Sequence, residues 1–286
     1  MKKPCTVFDE KDMPEFEPEA KVGLIATINP EGQPHVTLIT ALQAKSPDTI
    51  IWGQFSDGKS KEHVRTNPKT AFLIMTMDRS LWRGKALWTH EKKHGEDYEM
   101  FNTKPMFRYN AYLGIHTVHY MDLKETYGRE SLPLVKIILS SVITSVVKSG
   151  AKTGVKDRIL KPWGQGLFNR LDAIKFISFI DHDGFPAIIP LIQCQAAGSR
   201  RLVFSPFAYK EELGAIAAGS TVAIFGMTMD MEDILVRGTF TGIGKSRGAS
   251  LGAVDIEMVY NSMPPLHGQI YPEEPLTPVV NFPAQP

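Results

Sequence analysis

Cysteine is almost absent from this 286-residue chain: only Cys5 and Cys194 occur, far apart. That excludes a disulfide framework and fits two free thiols in a reducing compartment. Charge of one sign is lacking too, because 32 Lys and Arg stand against 31 Asp and Glu. No global field draws the chain to nucleic acid or to an anionic membrane, so any anion recognition has to be local. No uninterrupted apolar run reaches the about 20 residues needed to span a bilayer. The most apolar stretch, "LPLVKIILSSVITSVVKSG" from Leu132 to Gly150, is broken by Lys136 and reads as a helix packed on protein. The opening "MKKPCTVFDEKDMPEFEPEAK" has Pro and acids where an export signal needs an apolar core, and the expectation is a cytoplasmic chain without a membrane partner. No nucleophile elbow, Ser-His-Asp ordering or Gly-x-Gly-x-x-Gly helix start is visible. His116 and His119 are three residues apart, which on a strand sends their rings to opposite faces, so no metal site is expected.

What the chain does contain is a long-range echo. "AFLIMTMD" at Ala71–Asp78 returns as "AIFGMTMD" at Ala223–Asp230, 152 positions later. At the same offset Gly32-Gln33-Pro34 maps onto Gly184-Phe185-Pro186, Gln43-Ala44 onto Gln195-Ala196, and Phe55 onto Phe207. The pairs Arg83-Gly84 and Arg237-Gly238 match after a two-residue shift. A two-unit echo of this length indicates a duplicated domain, not a solenoid. The length also suits two domains of about 100 to 150 residues.

Each unit reads as strand, strand, strand, short helix, strand, strand, the order of a small antiparallel barrel. The first helix, in "SDGKSKEHVRTNPKT", has to close at Asn67-Pro68. The expected organisation is a first barrel over 1–126, a helical connector over 127–170, a second barrel over 171–263 and a Pro-rich tail over 264–286.

The most informative polar segment is "GQFSDGKSKEH", Gly53 to His63. Small residues admit a ligand to the backbone, Ser56 and Ser60 offer hydroxyls, and Lys59 and Lys61 bring charge to a helix start, a combination suited to phosphate. A solvated turn with ordinary surface lysines has the same composition.

The order of a Gly-x-Pro hairpin, "TIIWGQF", a Ser/Lys turn, a helix closing on Asn-Pro, an apolar strand and an Arg-Gly strand resembles the FMN-binding split barrel of the pyridoxamine 5'-phosphate oxidase family. The resemblance covers about Val22 to Met121 and, through the echo, about Ile174 to Tyr260. It implies a mainly β fold with short helices: two tandem split β-barrels forming an internal pseudo-dimer. By position it assigns the FMN phosphate to Thr37 and Thr40 on the second strand and to Gln54, Ser56, Lys59, Ser60 and Lys61 at the turn, with Arg79 near the flavin ring. It further implies a flavoprotein oxidoreductase acting on a small molecule or electron donor, with a homodimer as a further possibility. Its alternatives are a non-catalytic flavin-binding or structural protein, a deazaflavin-binding protein, or a haem-binding or haem-degrading one with His116, His119 or His182 as axial ligand. Relatives carry Arg where Thr37 stands and Ser-Arg-Lys where this chain has Gly58-Lys59-Ser60, so a vitamin-B6 substrate is not expected. In the second unit Lys59, Ser60 and Lys61 become Glu211, Glu212 and Leu213, and Thr37 and Thr40 become Ile189 and Ile192, which predicts one phosphate site per chain. The aromatic and cationic stretch with Phe107, Arg108, Tyr109 and Tyr112 reads either as packed strand and loop or as a cover for a ring system.

Overall fold

A computed structural model describes residues 4–105, 114–151, 159–261 and 268–274. Phe107, Arg108, Tyr109 and Tyr112 lie outside the described residues. The first unit contains β1 (Lys21–Ile28), β2 (Pro34–Leu38), β3 (Leu42–Ser46), β4 (Thr49–Gln54), α1 (Lys59–Thr66), β5 (Lys69–Thr76), β6 (Ser80–Lys92), α2 (Glu96–Thr103) and β7 (Thr117–Thr126). A short β8 (Glu130–Ser131) and helices α3 (Leu134–Val147) and α4 (Pro162–Asn169) lead to the second unit. That unit holds β9 (Ile174–Ile180), β10 (Pro186–Pro190), β11 (Gln195–Ala196), β12 (Arg201–Phe204), α5 (Lys210–Gly214), β13 (Thr221–Met227), β14 (Asp233–Ser246) and β15 (Ala249–Asn261). Within the segment assigned to the tail, β16 (Gly268–Tyr271) pairs with β15 and extends the second sheet.

The two antiparallel sheets have the same strand order, β2-β1-β5-β6-β7-β4-β3 and β10-β9-β13-β14-β15-β12-β11. Both are split barrels, and they pack face to face as a pseudo-dimer. The echoed strands explain their own composition. In β5, Phe72 and Ile74 enter the first barrel's core beside Trp52 and Trp82, whereas Ala71, Leu73 and Met75 turn outward. In β13, Val222 and Ile224 enter the second core, and Ala223, Phe225 and Met227 turn outward. The two outward rows meet in one apolar cluster with Val22, Leu24, Val36, Phe176 and Tyr260. A strand buried on both faces loses the apolar-polar alternation, so it reads as a continuous hydrophobic run.

Echoed glycines have equally local causes. Gly32 and Gly184 both occupy hairpin positions with positive φ, 77° and 76°. At Gly84 an added Cβ would lie 1.8 Å from the Glu125 carbonyl oxygen, and at Gly238 a Cβ would lie 1.9 Å from that of Asp255. Both sit at or next to a register shift between the long strands, where the backbones approach too closely for any side chain.

Helix α3 corrects one expectation. It packs on protein as anticipated, but through a face that mixes Ile137 and Val147 with polar residues. Ser140, Ser141 and Thr144 are buried against the second barrel, where Thr144 Oγ1 accepts from the Ser205 amide (2.8 Å) and the Ser141 carbonyl accepts from Gln195 Nε2 (2.9 Å). Val135, Ile138, Val142 and Val146 face outward.

Candidate functional site between the halves

Gly58 and Asn67 bound α1 as N-cap and C-cap, so the helix stops before Pro68 as the sequence requires. It covers one end of the first barrel, with one face turned inward and the other forming a wall between the halves. On the inward side Ser60 hydrogen-bonds the Thr37 hydroxyl, and both are buried. Lys61 is 6% exposed, and no carboxylate lies within 4 Å of its ammonium among the described residues. Burial pushes the Lys61 pKa down to about 8, opposed only by the charge of Asp57. A Cβ at Gly58 would come 3.2 Å from Lys61 Nζ, so the glycine leaves the space beside the ammonium clear.

The other predicted residues divide. Lys59 lines the cleft on the outward side of α1. Ser56 and Thr40 are half-buried and flank the open end of the β3–β4 hairpin, where the Gly53 amide donates to the Ala41 carbonyl. Gln54 is already engaged: its Oε1 accepts from His119 Nε2 (2.8 Å). Arg79 is not brought to this group. Thr37 pairs with Ile25, which is level with Phe72, and Arg79 lies seven residues further along in an exposed turn. The strand portion alone, Phe72 to Thr76, amounts to about 13 Å at the usual rise per residue.

His119 is structural. Its ring stacks on Trp52 (3.8 Å between centroids), Nδ1 accepts from Trp88 Nε1 (3.2 Å), Nε2 donates to Gln54, and burial pushes its pKa down to about 3. Both nitrogens are spoken for, which leaves no lone pair for a haem iron. His182 is exposed and bonded to Asp181, and His116 pairs with the Thr117 hydroxyl. Among the described residues no group of three or more metal-ligating side chains occurs.

The outward wall of α1 opens on a cleft of about 420 Å³ between the halves. Lys59, Glu62, His63 and Thr66 come from α1, Glu31 from the β1–β2 hairpin and His35 from β2, while Arg237, Met258 and Tyr260 come from the second barrel. His35 meets the rings of His63 and Tyr260 edge-on, each at 5.2 Å. His63 shares a hydrogen bond with Thr27, and burial pushes its pKa down to about 4, so it is neutral at neutral pH.

In the sequence Arg237 stands out only as part of an Arg-Gly pair, with no signal that it lines a cleft. Pseudo-symmetry makes its meaning visible. Its counterpart Arg83 points into the equivalent cleft on the other side, beside Tyr127, Tyr209 and Glu212. There the guanidinium is saturated: Nε and Nη2 donate to Glu130 (2.9 and 3.1 Å), Nη2 also donates to Glu212 (2.7 Å), and Nη1 donates to the Ile188 carbonyl (3.2 Å). Glu212 is the echo of Ser60. At the position of that carboxylate the first barrel has a hydroxyl, which is bonded to Thr37, and Arg237 has no ion pair or side-chain hydrogen bond among the described residues. Burial lowers its pKa, with Glu31 and Glu257 acting only at longer range. One cleft is therefore self-neutralised and the other carries cations with no partner in contact.

No family model and no curated protein matches the chain. Solved structures similar to it include HupZ from Group A Streptococcus (15% identity, 41% of this chain and 91% of that one, TM-score 0.34). An FMN-binding protein from Syntrophomonas wolfei is 12% identical over 40% of this chain and 80% of its own, with a TM-score of 0.33. A candidate pyridoxamine 5'-phosphate oxidase from Lactobacillus delbrueckii is 14% identical over 44% of this chain and 98% of its own, with a TM-score of 0.34.

Proposed function

We propose that the chain is an FMN-binding flavoprotein with one functional site, in the first barrel, and that it works as an oxidoreductase on a small molecule. The observation that carries this reading is Lys61. A buried ammonium without a counter-ion is costly unless something else supplies the negative charge, and here it belongs to the first turn of α1, next in the chain to the Ser60 that bonds Thr37. The residues present fit a phosphate ester: Lys61 as the charge, Ser60 and Thr37 as hydroxyl donors, Gly58 as the residue that keeps the approach open, and Ser56 and Lys59 at the rim. FMN, when bound, supplies the electron transfer, and the protein's part is to bind, orient and shield it.

The second barrel supplies more than a wall. Arg237 and Tyr260 line the cleft on the outward side of α1, so that cleft, unlike the inward Lys61 group, is completed only by the fused second half. A guanidinium without a contact partner favours a ligand that carries or develops negative charge. His35 and His63 add two imidazoles to the same surface. The neutral His63 ring offers hydrogen bonding without charge.

The test is the visible spectrum of the purified chain and the mass of any chromophore it releases, repeated on Ser60→Glu. That substitution copies the second barrel, placing a carboxylate at the position bonded to Thr37 and next to Lys61 in the chain. FMN at about one per chain in the parent and none in a folded Ser60→Glu is the expected pair of results. FMN retained unchanged in Ser60→Glu overturns the assignment of the phosphate site, and a colourless parent that takes up no added FMN overturns the function.

A further inference from the structure

We propose that the outward face of α3, together with the tip of the β14–β15 hairpin, is a docking surface for an anionic lipid membrane. Helices on globular proteins turn their apolar stripe inward, whereas α3 packs on the barrel through a mixed face of Ser, Thr, Ile137 and Val147 and leaves a second apolar stripe outside. Its seat on the second barrel is made by Ile137, Ser140, Ser141, Thr144 and Val147, with the Ser141 and Thr144 hydroxyls bonded within the helix and Thr144 also accepting from the barrel. The side left to solvent presents Val135 (74% exposed), Ile138 (62%), Val142 (57%) and Val146 (64%) at the i, i+3, i+7, i+11 spacing of one stripe. Phe207, 47% exposed, lies on the short helical turn that packs beside α3 and widens this surface. A patch of this kind is too contiguous to be incidental exposure.

Charge identifies the occupant. At the C-terminal end of α3 the hairpin tip is anchored by Ser246 Oγ donating to the Val147 carbonyl (3.1 Å), which brings Lys245 and Arg247 to the end of the stripe. Both are exposed, and neither has an ion pair among the described residues. The hollow there, about 430 Å³, has Lys245 and Arg247 in its lining together with Arg201, which is paired with Asp255 (2.6 Å). Ile243 on the same hairpin is also partly exposed, and Lys136 adds a cation near the other end of the helix. An apolar stripe flanked by unpaired cations is the pattern of a helix lying in the headgroup region of an anionic leaflet. A second copy of the chain would instead set the same cation-rich surface against itself, at an electrostatic cost. With its polar side bonded to the barrel, α3 would lie along the membrane and not across it. The overall charge balance gave no hint of this, because these cations are gathered only by the fold.

Co-sedimentation of the full chain with phosphatidylcholine–phosphatidylglycerol vesicles, against phosphatidylcholine alone, tests the proposal. Binding to the mixed vesicles only, weakened by salt and reduced at least about tenfold both in Val135→Glu/Val142→Glu and in Lys245→Glu/Arg247→Glu, supports it. All four side chains are solvent-exposed, so unchanged thermal unfolding separates lost binding from lost folding. Failure to bind the mixed vesicles overturns the proposal. If light scattering then shows a dimer that Val135→Glu/Val142→Glu converts to monomer, the face is a self-association surface instead.

Discussion

At the scale of single residues, the molecule is organised by which buried cations have partners. Lys85 is the satisfied kind: burial alone would lower its pKa, but bonds to Asp181 (2.6 Å) and Asp183 (2.9 Å) across the halves raise it. Lys61 is the opposite kind, and two expectations follow. Lys61→Met removes an uncompensated buried charge, so the flavin-free protein should gain about 1 to 2 kcal/mol in urea unfolding while FMN binding weakens by about 1.5 to 3 kcal/mol in fluorescence titration. The pH dependence has a definite sign. The folded pKa is about 8 and the ordinary lysine value is 10.5, so the unfolded state binds more protons between these values and stability of the flavin-free chain rises there. An anion prefers the protonated ammonium, so FMN affinity should be level below about pH 8 and fall by up to about tenfold per pH unit above it. The same contrast separates the two arginines. Arg83→Ala should cost about 2 to 3 kcal/mol, discounted because its carboxylates are partly exposed, whereas Arg237→Ala should change stability by less than about 0.5 kcal/mol and weaken flavin binding.

At the scale of elements, the long strands depend on the glycines that follow the two arginines. Gly84→Ala and Gly238→Ala would each drive a Cβ to within 2 Å of a neighbouring carbonyl oxygen, so the strands would have to separate. A loss of about 3 kcal/mol or more in denaturant unfolding is expected for each. A Gly84→Ala protein with parental stability would mean that the strand crossing adjusts freely. The helix over Lys59–Thr66 and its end before Pro68 were legible in sequence because capping and proline rules act over a few residues. The orientation of α3 was not legible: a helix carrying both a Ser/Thr row and a Val/Ile row does not announce which row meets protein. That choice belongs to Gln195, Ser205 and the rest of the second barrel's surface, which offers hydrogen-bonding groups to the polar row.

For the whole molecule, the join between the barrels behaves as core. Leu24, Val36, Leu73, Phe176, Phe225 and Tyr260 are nearly or fully buried in the shared apolar cluster, ringed by the Lys85 and Arg83 ion pairs. A first barrel produced alone, ending after Ser131, would expose its half of that surface. It should therefore self-associate or aggregate, which size-exclusion chromatography with light scattering would show, and a stable monomer would contradict the account. It should also lose FMN affinity, because Arg237 and Tyr260 come from the missing half.

The two-barrel architecture, the hairpin glycines and the α1 boundaries followed from the sequence by itself, because each is written in local spacing or in an echo at constant offset, whereas the Thr37–Ser60 pair was reachable only through the family resemblance. Only the tertiary structure decided that Arg79 stands apart, that Gln54 is held by His119, that Arg237 reaches the first barrel's cleft and that α3 wears an apolar stripe outward. These are relations between segments far apart in the chain. An arginine's role depends on whether a distant position holds Ser60 or Glu212, and that pairing exists only once the two barrels are packed together.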